Sequence, residues 1–272
     1  MVKKLFRNKN FLIGSILVGF IVILLIMSFI HIPIDPYKTD ATSKLQTPSA
    51  AHFFGTDHLG RDVFSRSLKA IQVDFLIGIS TMIIGGLIGL VIGLLAGYYG
   101  GWVDEVLMRI VDVFITIPGT VLVLLIVAIL GRGLPQTIIA ISVMNFPSFA
   151  RIIRGNVLGV KNKENVDWAI SIGSSSWRIL IHHILPDLIP TIIIVSAMRF
   201  SSAIMTEAGL SYLGLGVQQP EASLGNMLTR AQSSITINPW TSIIPGLIII
   251  IIVLGFNLLA DGMRDVYNQR EA

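Results

Sequence analysis

The chain has 272 residues, of which 53% are hydrophobic and only 13% are charged, and its mean hydropathy is +0.77. Soluble domains carry about 25% charged residues, so this composition indicates a membrane protein. Cysteine is absent, which excludes disulfides, thiolate metal sites and cysteine nucleophiles. The net charge of +4 reflects the placement of Lys and Arg, and we do not interpret it as a signal for nucleic-acid binding.

Six stretches of the chain are long and apolar enough to cross a bilayer, which requires about 20 residues each. Five of them contain no charged residue, and the weakest is interrupted by Arg199 and Glu207. The predicted spans are 11–30, 75–103, 113–131, 133–150, 188–209 and 239–260. The sequence therefore predicts an all-α polytopic membrane protein with six transmembrane helices.

The basic residues predict the orientation, because cytoplasmic segments carry an excess of Lys and Arg. The first span is preceded by Lys3, Lys4, Arg7 and Lys9 and has no basic residue at its other flank. Six spans would place twelve of the twenty Lys and Arg inside and seven outside. The first apolar run is longer than a secretory h-region and lacks a small-residue cleavage site, so we expect a retained helix. Both termini are predicted to be cytoplasmic.

We divide the chain into three parts and expect no soluble domain. Residues 1–30 form a cytoplasmic stub and the first helix, residues 31–74 form an outer loop, and residues 75–272 form the core. The core contains an inner loop at about 164–186 and a second long outer segment at 210–239. Loops of this length are usually functional or disordered, and both outer segments are expected to pack over the mouth of a pathway.

Small residues and a proline mark two of the predicted spans. The second span carries a glycine at every fourth position, and small residues let helices approach closely in lipid. These four glycines are Gly85, Gly89, Gly93 and Gly97. We favour packing within the chain over a dimer seam. In the third span, Pro118 is expected to introduce a kink.

The inner loop interrupts the apolar runs with "DWAISIGSSSWRILIHHILP", residues 167–186. Residues 174–176 are serines that can cap a helix start, and apolar residues then recur at helical spacing from Trp177. The pattern predicts a helix, a break at Gly173 and a second helix that ends at Pro186. Such a hairpin would expose a short helix below the membrane, where another protein could bind it.

This loop resembles the cytoplasmic EAA loop of ATP-binding-cassette (ABC) importer permeases, and it carries that motif in a degenerate form. The E-A-A positions are occupied by Asp167, Trp168 and Ala169. Gly173, Leu185 and Pro186 fall in the register of the motif, and His183 occupies the position of its isoleucine. The resemblance implies that these residues, with Trp177 or Trp168 as an aromatic anchor, couple the chain to an ATPase.

Four further blocks resemble the second, C-type permease subunit of the dipeptide, oligopeptide and nickel importers. They are "FGTDHLGRDVFSR" (54–66), "ARIIRGNVLGVK" (150–161), "EAGLSYLGLGVQQPEASLGNML" (207–228) and "PGLIIIIIVLGFNLLADGMRD" (245–265). The resemblance implies the six-helix type I importer permease fold in a bacterial cytoplasmic membrane. It also implies a paralogous permease partner, two cytoplasmic ATPases and an extracytoplasmic binding protein.

The sequence gives no support for catalysis by this chain. It contains no G-x-x-x-x-G-K-[ST] loop, no H-E-x-x-H and no G-x-S-x-G. We therefore expect a permease subunit without bound cofactor, with ATP and Mg²⁺ used by the partner ATPases. The alternatives are an ion-gradient-driven secondary transporter, which would show inverted repeats and midplane carboxylates, and a non-transporting membrane scaffold.

Arg199 and Glu207 are ionisable groups at membrane depth, and such groups usually face a cavity or a partner. They either line or lock the pathway, or they form static pairs with Asp74, Asp112 or a partner subunit. We favour the structural interpretation, because a fixed charge in a pore would hinder varied substrates.

The cargo is open between peptides and nickel or its chelates. His52, Asp57 and His58 could ligate nickel, but histidines on a loop without fixed spacing are more often solvated, and no metal site is predicted. The segment "GTDHLGRD" (55–62) resembles the nickel branch of the family slightly more than the peptide branches.

Overall fold

The computed structural model describes residues 5–268, with the side chain of Asn268 left out. Lys3, Lys4 and Arg270, which contribute to the predicted orientation, lie outside the described residues. Regular structure within 5–268 is helical apart from one isolated bridge between Thr56 and Asp62. The helices are α1 Lys9–Ile30, α2 Val63–Tyr99, α3 Gly101–Thr116, α4 Gly119–Leu130, α5 Leu134–Lys161, α6 Glu164–Ser171, α7 Ser176–Tyr212, α8 Leu224–Ala231 and α9 Trp240–Asn268.

Five of these helices, α1, α2, α5, α7 and α9, are long and apolar enough to cross a membrane. The pair α3 and α4 adds a sixth crossing only if it is counted as one broken span, because its two halves are bent by 88°. The predicted span over 113–131 is therefore not one straight helix, and the predicted kink at Pro118 is confirmed as a break between α3 and α4. Ile117 and Pro118 are both extended, since a proline disfavours helical geometry in the residue before it.

The second span is displaced from its predicted range 75–103. Helix α2 begins at Val63, where the carboxylate of Asp62 caps it by accepting a hydrogen bond of 2.7 Å from the N–H of Ser65. It ends at Tyr99, because Gly100 has a φ of 66° that breaks the helix. The last part of the predicted outer loop is thus helical. Arg66, Lys69 and Asp74, which fall within that predicted loop, lie on α2.

The glycine ladder of α2 lies against α5. A Cβ on Gly89 would lie 2.7 Å from the carbonyl oxygen of Phe146, and one on Gly93 would lie 2.6 Å from that of Ala150. Gly97 approaches the side chain of Val157 in the same way. The two backbones pack so closely that only glycine fits between them, and this seam holds the centre of the bundle together.

A second close seam joins the first and the last helix. Gly14 on α1 approaches the backbone of Leu259 on α9, and Gly262 on α9 approaches the backbone of Phe11. The side chain of Asn8 also donates a hydrogen bond of 3.1 Å to Asp265. Helix α1 is therefore fixed to α9 along its length.

Residues 31–62 and 213–239, which we call the cover, lie together at one end of the bundle. The phenol of Tyr37 donates a hydrogen bond of 3.0 Å to the carboxylate of Glu221, and the amide of Asn238 donates one of 2.8 Å to the carbonyl of Gln46. Burial and Glu221 raise the pKa of Tyr37 to about 12. The two outer segments predicted from sequence thus form one layer. The hairpin of α6 and α7 lies at the opposite end of α2, beside Lys161 and Tyr98.

Candidate functional site

The hairpin at 164–186 turns through a tight backbone motif. Helix α6 ends at Ser171, and Gly173 follows with a φ of 76°. The N–H of Gly173 donates to the carbonyl of Ile170 at 2.9 Å, and the N–H of Ser174 donates to that of Ala169 at 3.0 Å. This pair of bonds is a Schellman motif, in which glycine at the left-handed position satisfies the last carbonyls of a helix.

The second arm of the hairpin differs from its predicted form in two respects. Ser175 occupies the N-cap position, as expected, but among the described residues no serine side chain caps this helix start. The predicted end at Pro186 is wrong, because α7 continues through Pro186 and Pro190 to Tyr212. The physical reason is a π-helical turn at Leu180–Ile184, whose wider geometry accommodates a proline that lacks an N–H donor.

One side of the hairpin is fixed in a hydrophobic core. Ala169 on α6 and Leu180 and Ile184 on α7 are buried in one cluster with Ile153 and Val157 of α5. Outside this cluster, the ammonium of Lys163 lies 2.9 Å from the carboxylate of Asp187 and joins the two arms. The hairpin is therefore a rigid continuation of α5 and α7 rather than a loose connection.

The other side of the hairpin is apolar and exposed. Trp168 is 71% exposed, Trp177 is 67% exposed and Ile172 is 75% exposed. Trp168 borders a shallow depression of about 210 Å³ that also includes Asp167, and Trp177 borders an apolar groove of about 170 Å³. Exposed apolar patches of this kind mark interaction surfaces.

The remaining motif residues of the loop occupy different environments. Asp167, Gly173 and Pro186 are exposed, whereas His183 and Leu185 are partly buried. Gly173 has open space around it, so the backbone conformation and not a close neighbour requires glycine there. The motif therefore combines a buried position, Ala169, with an exposed rim.

The comparisons with known proteins agree with this architecture. The family described as "Binding-protein-dependent transport system inner membrane component" matches residues 89–272. The chain belongs to this family. The permease is also 40% identical over 255 residues to the glutathione transport system permease protein GsiD of Pectobacterium atrosepticum. The aligned region covers 92% of this chain and 85% of that relative. The same protein of Escherichia coli O6:K15:H31 is 40% identical over 269 residues, covering 97% and 88%.

Solved structures show the same fold. An inward-facing structure of the MetNI methionine ABC transporter matches with a TM-score of 0.56 and 16% identity, covering 72% of the permease and 95% of that chain. An amino acid ABC transporter with histidines matches with a TM-score of 0.56 and 20% identity, covering 75% and 94%. The predicted type I importer permease fold and the predicted family, an ABC importer permease of the peptide and nickel type, are confirmed. The permease is a multi-pass inner-membrane protein.

The two mid-span charges of the permease lie in separate environments. Glu207 is fully buried, its Oε1 accepts a hydrogen bond of 2.6 Å from the hydroxyl of Ser211, and it interacts electrostatically with another buried carboxyl group, Asp74. Arg199 is partly buried and has no acidic partner within 4.0 Å among the described residues. The ion pairs considered for these residues with Asp74 or Asp112 are absent from residues 5–268, and Asp112 instead lies 2.6 Å from Arg151.

The polar groups of the first outer segment are engaged in separate contacts. His52 lies 2.9 Å from the cap residue Asp62, and Asp57 lies 2.7 Å from Arg61. The pKa of His58 is lowered, mainly because its imidazole is partly buried. Residues 5–268 contain no group of three or more potential His, Cys, Asp or Glu metal ligands.

Sequence reasoning missed the burial of two arginines at this end of the bundle. Arg61 and Arg66 are buried, although both lie in a polar stretch that was predicted to be an outer loop. The signal that could have found them is "GRDVFSR" (60–66), where Arg61 precedes the cap residue Asp62 directly and Arg66 follows it four positions later.

Proposed function

We propose that this permease forms half of a translocation pathway for small peptides such as glutathione, paired with a paralogous permease. Two cytoplasmic ATPases, which bind ATP and Mg²⁺, would drive it, and an extracytoplasmic binding protein would deliver the cargo. The 40% identity to glutathione permeases supports a peptide cargo over a nickel chelate. The proposal places both termini and the hairpin in the cytoplasm and the cover outside.

The observation that carries the coupling role is the two-sided hairpin. Its inner face is buried in the hydrophobic cluster that it shares with α5. On its outer face, Trp168 and Trp177 present a large exposed aromatic surface. A partner that binds these tryptophans would move α7 directly, since the π-helical turn at Leu180–Ile184 is continuous with the rest of that helix. Large aromatic side chains are typical anchors of such interfaces. In this proposal Asp167, Gly173, His183, Leu185 and Pro186 shape the same docking surface.

The test is uptake and ATP hydrolysis by the reconstituted four-subunit complex with its binding protein. Trp168→Ala and Trp177→Ala should lower uptake of radiolabelled glutathione at least tenfold, in line with the loss of an aromatic anchor worth about 2 kcal/mol. Trp102→Ala, which removes a tryptophan of similar exposure outside the hairpin, is the control and should transport normally. Equal uptake by all three variants would contradict the docking role.

The cargo and the energy source are tested in the same vesicles. Glutathione, a dipeptide and a nickel–histidine chelate are offered separately, with ATP inside or with only a proton gradient. We expect ATP-dependent uptake of glutathione or the dipeptide. Uptake of only the nickel chelate would refute the peptide cargo, and uptake without ATP would refute the ABC mechanism for this complex.

The orientation can be tested because the chain contains no cysteine. Ser175→Cys in the hairpin and Ala50→Cys in the cover both replace small exposed residues. In intact cells, a membrane-impermeant thiol reagent should label the cover variant and not the hairpin variant. The reverse pattern would invert the proposed topology.

A further inference from the structure

A polar cavity of about 360 Å³ lies between His58 in the first segment of the cover and residues 211–233, which include the end of α7 and most of the second segment. Its wall includes the uncharged hydrogen-bonding side chains of Gln218, Gln219 and Ser233, and Arg230 also lines it. A second, narrow cavity of about 20 Å³ shares His58 and Arg230 with it. The volume of the larger cavity is that of a site for a small molecule.

The wall of these two cavities has an excess of positive charge. Three arginines line it, Arg61, Arg66 and Arg230, and the only acidic lining residue is Asp57. Three positive charges and one negative charge leave an excess of two, with His58 neutral. A concave site with one sign of charge attracts an ion of the opposite sign.

The carboxylate of Asp57 already forms ion pairs with the two buried arginines, Arg61 and Arg66. Its Oδ2 lies 2.7 Å from Nε of Arg61 and 3.8 Å from Nε of Arg66, which are 5% and 2% exposed. The other end of Arg66 donates a hydrogen bond of 2.9 Å to the carbonyl of Pro36. Asp57 and Pro36 thus hold Arg61 and Arg66 in place behind the cavity.

Arg230 is different, because it is exposed and no acidic side chain of residues 5–268 lies within 4.0 Å of its guanidinium. It is carried by α8, which is packed against α7 and α9, so the backbone at this position is fixed. A guanidinium presents a planar set of donors that matches a carboxylate in a bidentate pair. Its position beside a polar cavity leaves it free for a ligand.

We propose that this cavity binds a free carboxylate of a small anionic peptide at the outer entrance of the permease, with Arg230 as its direct ion-pair partner. The inference rests on the proposed peptide cargo and adds a selectivity for the charged carboxyl group. Arg61 and Arg66 act as positioning residues that keep the site positive. Gln218, Gln219 and Ser233 supply hydrogen bonds to the amide groups of the peptide.

The test measures protection of one introduced thiol in the assembled complex in nanodiscs. Ser233→Cys places the thiol in the cavity wall, and its rate of reaction with a maleimide is followed with and without S-methylglutathione, which has no thiol of its own. We expect the free acid to slow labelling and the matched diethyl ester, which lacks the carboxylates, to leave it unchanged. Ala50→Cys, exposed elsewhere in the cover, should react at the same rate under all conditions.

The role of Arg230 is tested by Arg230→Gln in the Ser233→Cys background. This variant should raise the concentration of S-methylglutathione that gives half protection by about tenfold, as expected for loss of one charge-assisted pair. Arg132→Gln, at another exposed arginine, should leave it unchanged. If Ser233→Cys prevents assembly, Gln219→Cys provides the same measurement from another part of the wall.

Three results would overturn the proposal: no protection by the free acid, equal protection by the ester, or unchanged protection in Arg230→Gln. Protection by the cargo-free binding protein alone, with none by S-methylglutathione, would assign the cavity to a protein side chain and also overturn it. The outcome is separable from that of the proposed cargo. Glutathione uptake without protection refutes this site alone, and protection without uptake refutes the cargo alone.

Discussion

The carboxylate of Asp74, in the first half of α2, accepts a hydrogen bond of 3.2 Å from the backbone N–H of Leu224, the first residue of α8. The contact joins a membrane helix to the cover across 150 positions of sequence. Glu207 of α7 lies beside it, and each of the two carboxyl groups has one buried oxygen without a hydrogen-bond partner in the described chain. The cover is thus attached to the bundle by a buried polar cluster that has no cation in residues 5–268.

This cluster predicts different effects for two substitutions of Asp74. Asp74→Asn keeps an acceptor for Leu224 and removes an ionisable group that is buried beside another carboxyl, so its thermal stability in detergent should equal or exceed that of the wild type. Asp74→Ala leaves the N–H of Leu224 unsatisfied and should lower the free energy of unfolding by about 1–3 kcal/mol. Asp112→Ala, which breaks an exposed pair, is the control and should change it by less than about 1 kcal/mol. Equal stability of the two Asp74 variants would show that the hydrogen bond contributes nothing.

The seam between α2 and α5 predicts opposite effects at two neighbouring glycines. Gly89→Ala would place a Cβ 2.7 Å from the backbone oxygen of Phe146 and should destabilise the permease by about 1–3 kcal/mol. Gly86→Ala would place one 3.9 Å from the ring of Phe149, an ordinary contact, and should be neutral or slightly stabilising because alanine favours helix. Thermal unfolding of both variants in detergent gives the comparison. A loss of stability at Gly86 equal to that at Gly89 would contradict close backbone packing as the cause.

The turn of the hairpin predicts which residues can replace Gly173. Gly173→Asn should retain coupled uptake, because asparagine tolerates a positive φ and the surrounding space is open. Gly173→Pro or Gly173→Trp should leave the subunit in the membrane but separate ATP hydrolysis from uptake. Proline cannot adopt the required φ of 76°, and tryptophan combines backbone strain with bulk at the docking surface. The ratio of cargo transported to ATP hydrolysed measures the effect, and normal ratios in both variants would remove the hairpin from the mechanism.

The contact between Tyr37 and Glu221 predicts a pH dependence of stability. Burial and the neighbouring carboxylate raise the pKa of Tyr37 from 10.0 to about 12. The folded state therefore holds the phenolic proton more tightly than the unfolded state, so this contribution is complete below pH 10 and is lost as the pH rises toward 12. Between about pH 9 and pH 12, the thermal stability should fall less steeply for Tyr37→Phe than for the wild type, relative to their values at the lower pH. Glu221→Gln should reduce the slope only in part, since burial is the larger cause. Parallel slopes for Tyr37→Phe and the wild type would contradict the assignment.

The features of the fold that follow from local sequence were predictable. The apolar runs indicate the membrane helices, and Gly173 marks the turn of the hairpin because only a residue tolerant of positive φ fits there. The boundaries were less predictable. The start of α2 at Val63 depends on the cap at Asp62 inside a polar stretch, and the passage of α7 through Pro186 depends on a π-helical turn that has no sequence signature.

The contacts of the cover could not be predicted, because they join residues far apart in sequence. The pairing of Tyr37 with Glu221 and the bond from Leu224 to Asp74 arise only when the two outer segments lie over the bundle. The ion pairs proposed for Arg199 and Glu207 with Asp74 or Asp112 do not form among residues 5–268, although Glu207 does lie beside Asp74. Sequence spacing shows that two charges share a helix, but it contains no information on which charge of another helix they approach.

The seam between α1 and α9 has a consequence for how the protein is made. A membrane helix enters the bilayer soon after synthesis, but the backbone of α1 around Gly14 is matched to the backbone around Leu259, near the end of the chain. The contact between α1 and α9 can therefore form only after α2 to α8 have been synthesised. Until then, the Gly14 face of α1 lacks its partner within this chain, so α1 reaches its final packing late in assembly.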